Sequence, residues 1–387
     1  MDGNTLVAFL RQAVSNGGEL PEEIDWEELI ELARLHHVEP MVCHVVRKKR
    51  LPIPDRSKDI LNGIYSRRMF LEVQQDYTMG MIRTSFCEAR IPHVLLRGAL
   101  LKRDYPSSDM RTMSDLDYLV RVEDYPRIKK SAEKLGGRHI HTDGGHFSFL
   151  FPPEVMVEFH PNLIYAASPV GTEINPGWQY TRIGSGPYDL ELTEEGFYLN
   201  MICHMAYHFT KGGTGVRSVL DLWIYRHRHT PQPDKQIVER ELERAGLRLF
   251  AEQMEALAEM WFGTGQQTSH LEELGRYVLT SGAHGVEARA VLNAACFSPG
   301  GNGCSALLSR AFYPREELEN RFPWSRGRPW LLPAAWCVRA FWAVTQHPGH
   351  ILRWGRAAQS LSEQELKEQR ERLRRFGFQM REREKRT

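Results

Sequence analysis

Apolar positions change their rhythm twice along the chain. In "IDWEELIELARLHHVEP", Leu29, Leu32 and Ala33 share one helical face, Asp25 stands as N-cap with Glu28 three residues on, and Pro40 reads as the stop. A second helical pattern runs from about Ile60 to Ala89. Between about Ile91 and Ile164 the period shortens. "IPHVLL" and "SDLDYLV" read as short strands, and "HFSFLFPPEVMVEFH" as a hairpin turning at Pro152-Pro153-Glu154. "VEDYPRIKKSAEKLGG" is an amphipathic helix closed by Gly136-Gly137, and "GRHIH" adds a further strand.

After a Gly/Pro-rich connection, "NPGWQYTRIGSGPYD", the helical period returns from Thr193, which can cap that helix with Glu194 and Glu195 in its first turn. "SPGGNGCS" (Ser298–Ser305) divides the C-terminal helices. The apolar run "WLLPAAWCVRAFWAV" is too short to span a bilayer and reads as a buried helix. The last stretch, "EQELKEQRERLRRFGFQMREREKRT", is dense in both charge signs and reads as a solvated helix or a fraying tail. The layout predicts an α+β fold: a small mixed-sheet core at 89–190, a helical region at 1–88 before it, and a helical region with a charged tail at 191–387 after it.

Composition narrows the partners. With 42% hydrophobic and 26% charged residues the chain matches a globular protein in water. A formal charge of +1 supplies no field for holding duplex DNA or long RNA, so no extended nucleic acid is expected. The six cysteines never form CxxC, which fits reduced thiols in a cytoplasmic protein. The N-terminus lacks a basic start followed by an apolar core, so neither a signal peptide nor a membrane partner is expected.

The chemistry gathers around "SDLDYLV". Residues two apart on a strand share a face, so Asp115 and Asp117 project together while Leu116, Tyr118 and Val120 face the other way. Two adjacent carboxylates on a partly buried face repel unless a cation sits between them. Glu158, between Val157 and Phe159 in the hairpin's second strand, is a third acid in need of a partner. Three carboxylates on neighbouring strands suit two Mg²⁺ ions, the clamp of in-line phosphoryl or nucleotidyl transfer. Each acid taken singly also fits a strand end turned to solvent.

Upstream, Gly98 follows a strand and precedes a helix-like segment, where phosphate can approach the backbone. Arg97, Lys102 and Arg111 are the candidate grip on a triphosphate, or else surface residues. His204 and His208 lie one helical turn apart, but Met205 stands where a zinc peptidase needs its glutamate, which removes that reading. They are expected to line the cleft between helices and sheet, touching nucleotide or acceptor, with Asp221 orienting one of them. His160 shares a strand face with Glu158 and is expected to support it.

Arg97-Gly98, Tyr105-Pro106, Arg111, Asp115-Leu116-Asp117 and Glu158-Phe159-His160 together resemble the polymerase-β-like nucleotidyltransferase superfamily, and more closely its family of uncharacterised nucleotidyltransferases. The resemblance extends to "LARLHHVEP" and to "HMAYHFTKGGTGVRSVLDL", spanning most of Leu29 to Leu222. It departs at Gly98-Ala99, where the superfamily has Gly-Ser, and in a third acid that is Glu rather than Asp. The resemblance implies a nucleotidyltransferase core in which Asp115 and Asp117 bind Mg²⁺ and Glu158 completes the site. It also implies attack on the α-phosphate of an NTP such as ATP by a hydroxyl of a small molecule, peptide or protein, with pyrophosphate leaving. Two alternatives stay open: a catalytically silent nucleotide-binding protein on the same fold, and a toxin-type enzyme acting on protein or tRNA.

Overall fold

The computed structural model describes residues 3–15, 17–143, 146–164, 168–174, 177–283, 285–346 and 348–379. The first two residues, Asn175-Pro176 of the connection and residues 380–387 of the charged tail lie outside them.

Four helices open the chain: α1 (Gly3–Ser15), α2 (Trp26–His36), α3 (Glu39–Lys49) and α4 (Asp55–Glu88). Asp25 caps α2 by accepting a hydrogen bond from the Glu28 amide at 3.0 Å. Pro40 is not the stop. Helix α2 ends at His36 because His37 turns left-handed (φ 56°), and Pro40 sits in the first turn of α3, where its missing N–H costs nothing.

A seven-stranded mixed sheet follows. Its strands are β1 (His93–Leu95), β2 (Asp115–Val120), β3 (Arg138–Asp143), β4 (His146–Phe151), β5 (Val155–His160), β6 (Thr181–Ile183) and β7 (Asp189–Leu192), in the order β3-β4-β5-β2-β1-β7-β6. Helix α5 (Gly98–Leu101) follows β1, and α6 (Tyr125–Lys134) links β2 to β3. Strands β6 and β7 form a small hairpin, β6 inside the segment expected to be a plain connection and β7 starting at its last residue.

One sheet face is a core in its own right. Leu116, Tyr118, Val120, Phe149, Val157 and Phe159 pack there against Ile82 and Phe86 of α4 and Ile128 of α6. The alternation that sends these residues inward puts Asp115, Asp117, Glu158 and His160 on the opposite face.

The C-terminal helices follow, α7 (Glu194–Thr210), α8 (Val216–Arg228), α9 (Lys235–Arg244), α10 (Arg248–Phe262), α11 (Ser269–Leu279), α12 (Glu287–Phe297), α13 (Gly303–Ala311), α14 (Arg315–Arg321), α15 (Leu332–Gln346), α16 (Pro348–Ser360) and α17 (Glu363–Arg375), and that sheet face looks across a cavity to α7, α8 and α14. Thr193 caps α7 through the Gly196 amide. A second core runs through α1–α3, α7, α8, α10 and α11 and takes in Leu366, Leu373, Phe376 and Phe378. Helix α17 is therefore amphipathic, one face docked and the charges outside. Gln369 donates to Asn293 Oδ1 at 2.7 Å, and Asn293 donates to the Phe209 carbonyl at 2.7 Å, stitching α17 through α12 to the end of α7.

The apolar run at Trp330–Val344 is helical as α15 but is not buried. On this helix only Ala335 is fully covered, while Phe341 and Trp342 are 67% and 54% exposed. No helix among the described residues is long and apolar enough to cross a membrane. All six cysteines are unpaired.

Candidate functional site

Strands β2 and β5 run parallel, with Asp117 directly opposite Glu158 and Leu119 opposite His160. This register brings together the acids of two segments some forty residues apart. One donor atom from each of Asp117, Glu158 and His160 lies within 4.8 Å of the others. His160 Nε2–H donates to Asp117 Oδ1 at 2.8 Å and lies 3.3 Å from Glu158 Oε2. Arg97 holds the other Asp117 oxygen at 2.7 Å. Its backbone is strained to do so, with φ 48° and ψ −116° in a non-glycine residue.

The charges of these groups follow from their neighbours. Burial lowers His160, but its hydrogen bonds to Asp117 and Glu158 prevail and raise it to about 9, so the ring is cationic at neutral pH. Burial pushes Asp117 up, and Arg97 with His160 overcomes this to hold it well below the usual carboxylate range. Glu158 is also lowered, against burial, by His160 and His146. For Asp115 the same two cations, Arg97 and His160, are outweighed. Burial, then the charges of Asp117 and Glu158, raise it to about 6. Three carboxylates, one of them unsettled by the other two, form an oxygen donor set that fits a hard divalent cation. Among the described residues, Asp117, Glu158 and His160 are the group close enough to hold a metal ion together, with Asp115 on the same face of β2.

These side chains line a cavity of about 290 Å³ between sheet and helices, which also receives Arg97, Gly98, Arg111, His204, His208, Arg217 and Asp221. That volume sits near the lower end for small-molecule sites, roughly 300–1,000 Å³. His204 and His208 face each other across one turn of α7, Nε2 to Nε2 at 3.0 Å. Burial, aided by the charge of Arg97, drives His204 well below its ordinary value, so it is neutral.

Two expected phosphate ligands are engaged elsewhere. Lys102 turns away from the cavity to Glu72 (3.5 Å) and Asp76 on α4. Arg111 is gripped by Asp221, Nε to Oδ1 at 2.7 Å and the second amino group to Oδ2 at 2.8 Å. Asp221 thus orients Arg111, and accepts from Tyr105 Oη at 2.6 Å, rather than orienting a histidine. Gly98 has a steric purpose: a Cβ there would stand 3.2 Å from the Arg111 guanidinium. Ala99, in place of the superfamily's serine, is buried and also lines the cavity.

Two residues were overlooked by sequence reasoning. His146 stacks on His160 with ring centroids 5.1 Å apart and Nε2 3.8 Å from Glu158. The period-two pattern held the signal, since His146 shares a face with Ser148, the cross-strand partner of Glu158. Arg217 lies one helical turn before Asp221, a spacing that marks both for the same face. It donates to the Thr112 carbonyl at 3.3 Å, and among the described residues it has no carboxylate partner. Burial, then the charge of Arg111, lowers it to about 10, so it remains a cation.

A family described as "Uncharacterised nucleotidyltransferase" matches residues 22–263. The chain belongs to this family. Membership supports a general role in nucleotidyl transfer and implies an NTP substrate. No curated protein and no solved structure matches the chain. The N-terminal "LARLHHVEP" has a structural part in this family member. His36 Nδ1 accepts from the Val216 amide at 3.2 Å, its Nε2–H donates to the Leu279 carbonyl at 3.0 Å, and the His37 carbonyl accepts from Thr112, two residues after Met110 in the loop before β2.

Proposed function

We propose that the chain transfers a nucleoside monophosphate from an NTP to a hydroxyl of a small molecule, peptide or protein. The acceptor oxygen bonds to the α-phosphorus as the α–β phosphoanhydride bond breaks, and pyrophosphate leaves. Asp115, Asp117 and Glu158 would hold Mg²⁺, two ions in the full site, which when bound stabilises charge on the attacking and leaving oxygens. Glu158 would also take the acceptor's proton. Arg217 is the cation available to the phosphates, because Arg111 and Lys102 already serve Asp221 and the acids of α4. His204, neutral, half-buried and lining the cavity beside His208, would meet nucleotide or acceptor there.

The observation that carries this reading is the register that sets Asp117 opposite Glu158, with Asp115 on the same face, beside a cavity that Arg217 enters without a carboxylate partner among the described residues. A second reading, nucleotide binding without transfer, is favoured by one fact: both oxygens of Asp117 are already engaged, by His160 and Arg97. Calorimetric titration of the four NTPs with and without Mg²⁺, on the wild type and on Asp117→Asn, tests both. Metal-dependent binding lost in the variant, with pyrophosphate released when hydroxyl acceptors are added, supports transfer. Binding without pyrophosphate from any acceptor class favours the silent reading, and no binding to a folded wild type sinks the donor site.

A further inference from the structure

The segment Phe322–Ser362 contains no aspartate or glutamate. It holds five arginines (Arg326, Arg328, Arg339, Arg353, Arg356) and five of the chain's nine tryptophans. In a chain of net charge +1 this segment alone carries +5 and the remainder −4, so it is a local cationic and aromatic field. The structure turns much of it outward. Trp330 is 71% exposed, Val338, Phe341 and Trp342 are exposed at helical spacing on α15, and Ile351 and Leu352 of α16 are exposed as well. Leu308 and Phe312 at the end of α13 are exposed too, Phe312 lying against Trp336 of α15 with ring centroids 5.3 Å apart. Arg326, Arg328, Arg353 and Arg356 are exposed around these residues. Arg353 shares Glu287 with His350, and among the described residues Arg326, Arg328, Arg339 and Arg356 have no carboxylate within ion-pair distance.

Exposed apolar surface of this extent marks an interaction site. Its chemistry selects the occupant. Indole and phenyl rings beside arginines, with no acid inside the segment, match the boundary of a bilayer, where rings sit among headgroups and guanidinium groups meet phosphate. A second copy of the same patch would instead bring like charges together. We propose that α15 and α16 seat the protein on the surface of an anionic membrane, lying on it and not crossing it. The expectation of no membrane partner rested on spanning segments and leaders, neither of which this mode requires. Helix α14, which precedes the patch, contributes Glu317 and Asn320 to the cavity, so a seated protein would hold its candidate site near the lipid surface.

The test is co-sedimentation of the full chain with vesicles of phosphatidylcholine alone and with vesicles containing phosphatidylglycerol. Partition onto the anionic vesicles, weakened by salt, is expected. Trp330→Ser, Phe341→Ser and Trp342→Ser combined should lower it by roughly tenfold or more. Arg326→Glu and Arg356→Glu should each lower it by roughly fivefold. Circular dichroism and thermal unfolding of these variants should match the wild type, because every altered side chain is exposed. Equal partition onto both vesicle types overturns the anionic preference. Failure to partition overturns the proposal outright: dimers in light scattering that the triple variant dissolves would assign the patch to a second copy, and a monomer would assign it to a protein partner.

Discussion

Asp221 on α8 holds both sides of the Arg111 guanidinium, at 2.7 and 2.8 Å, and so fastens the loop before β2 to the C-terminal helices. Tyr105 joins the same carboxylate. Burial opposes the charge on Arg111, and Asp221 outweighs it. Removing one member leaves the other charged and unpaired in a poorly solvated place. Asp221→Asn is expected to cost about 3 kcal/mol in urea unfolding, and Arg111→Met with Asp221→Leu together should cost less than Asp221→Asn alone.

Gly98 lets that guanidinium pass. The arginine is pinned at its far end, so it cannot yield to a new methyl group 3.2 Å away. Gly98→Ala should destabilise by about 1 kcal/mol through overpacking. If the cavity binds NTP, affinity should fall as well, measurable in the same calorimetric titration.

Arg217 should behave in the opposite sense on the two measurements. Arg217→Met removes a half-buried cation that has no carboxylate partner among the described residues, so Tm should hold or rise. NTP affinity should fall by roughly tenfold or more through loss of a charge-assisted contact. Loss of both together would show that the residue serves packing and not phosphate.

His36 ties stability to pH. Burial is the largest influence, and it lowers the ring to about 4 from 6.5, partly offset by the bond to the Leu279 carbonyl. The unfolded chain therefore takes up a proton near pH 6.5 that the folded chain refuses until about 4. Stability from this residue is fully present above that window and drains as pH falls through it, by about 3 kcal/mol at most. Urea unfolding from pH 7.5 to 4 should show the loss, and His36→Gln should flatten it.

Lys102 should be silent in nucleotide binding. Its partners lie on α4, so Lys102→Ala is expected to leave NTP affinity within twofold of wild type and to lower stability by about 1 kcal/mol. A tenfold loss of affinity would return it to the phosphate grip.

Where neighbouring residues decide the structure, the sequence was readable. The period of two in "SDLDYLV" and "VMVEFH" separated the inward side chains from Asp115, Asp117, Glu158 and His160, and the sheet kept that division. The cap at Asp25 and the cap at Thr193 depend on three residues each. Where a partner lies far along the chain, local pattern had no purchase. Arg111 meets Asp221 across 110 positions, and nothing before β2 announces it. Lys102 looked like a phosphate ligand because the acids of α4 that claim it are remote in sequence. Hydropathy alone likewise assigned α15 to the interior, since it registers apolar side chains and not whether another element covers them. Strands β6 and β7 escaped notice because three or four residues are too few to display an alternation.

The stitch from Gln369 through Asn293 to the Phe209 carbonyl sets the length of chain that must act together. The family match covers residues 22–263, and a chain cut after residue 263 would keep every carboxylate and arginine of β2, β5 and α8. It would lose Tyr277, Phe376 and Phe378, which pack on Phe209 in the last turn of α7, the helix that presents His204 and His208, and keep Phe250 there. The family match stops at residue 263, while the core it belongs to runs on through α11 and α12 to Phe378.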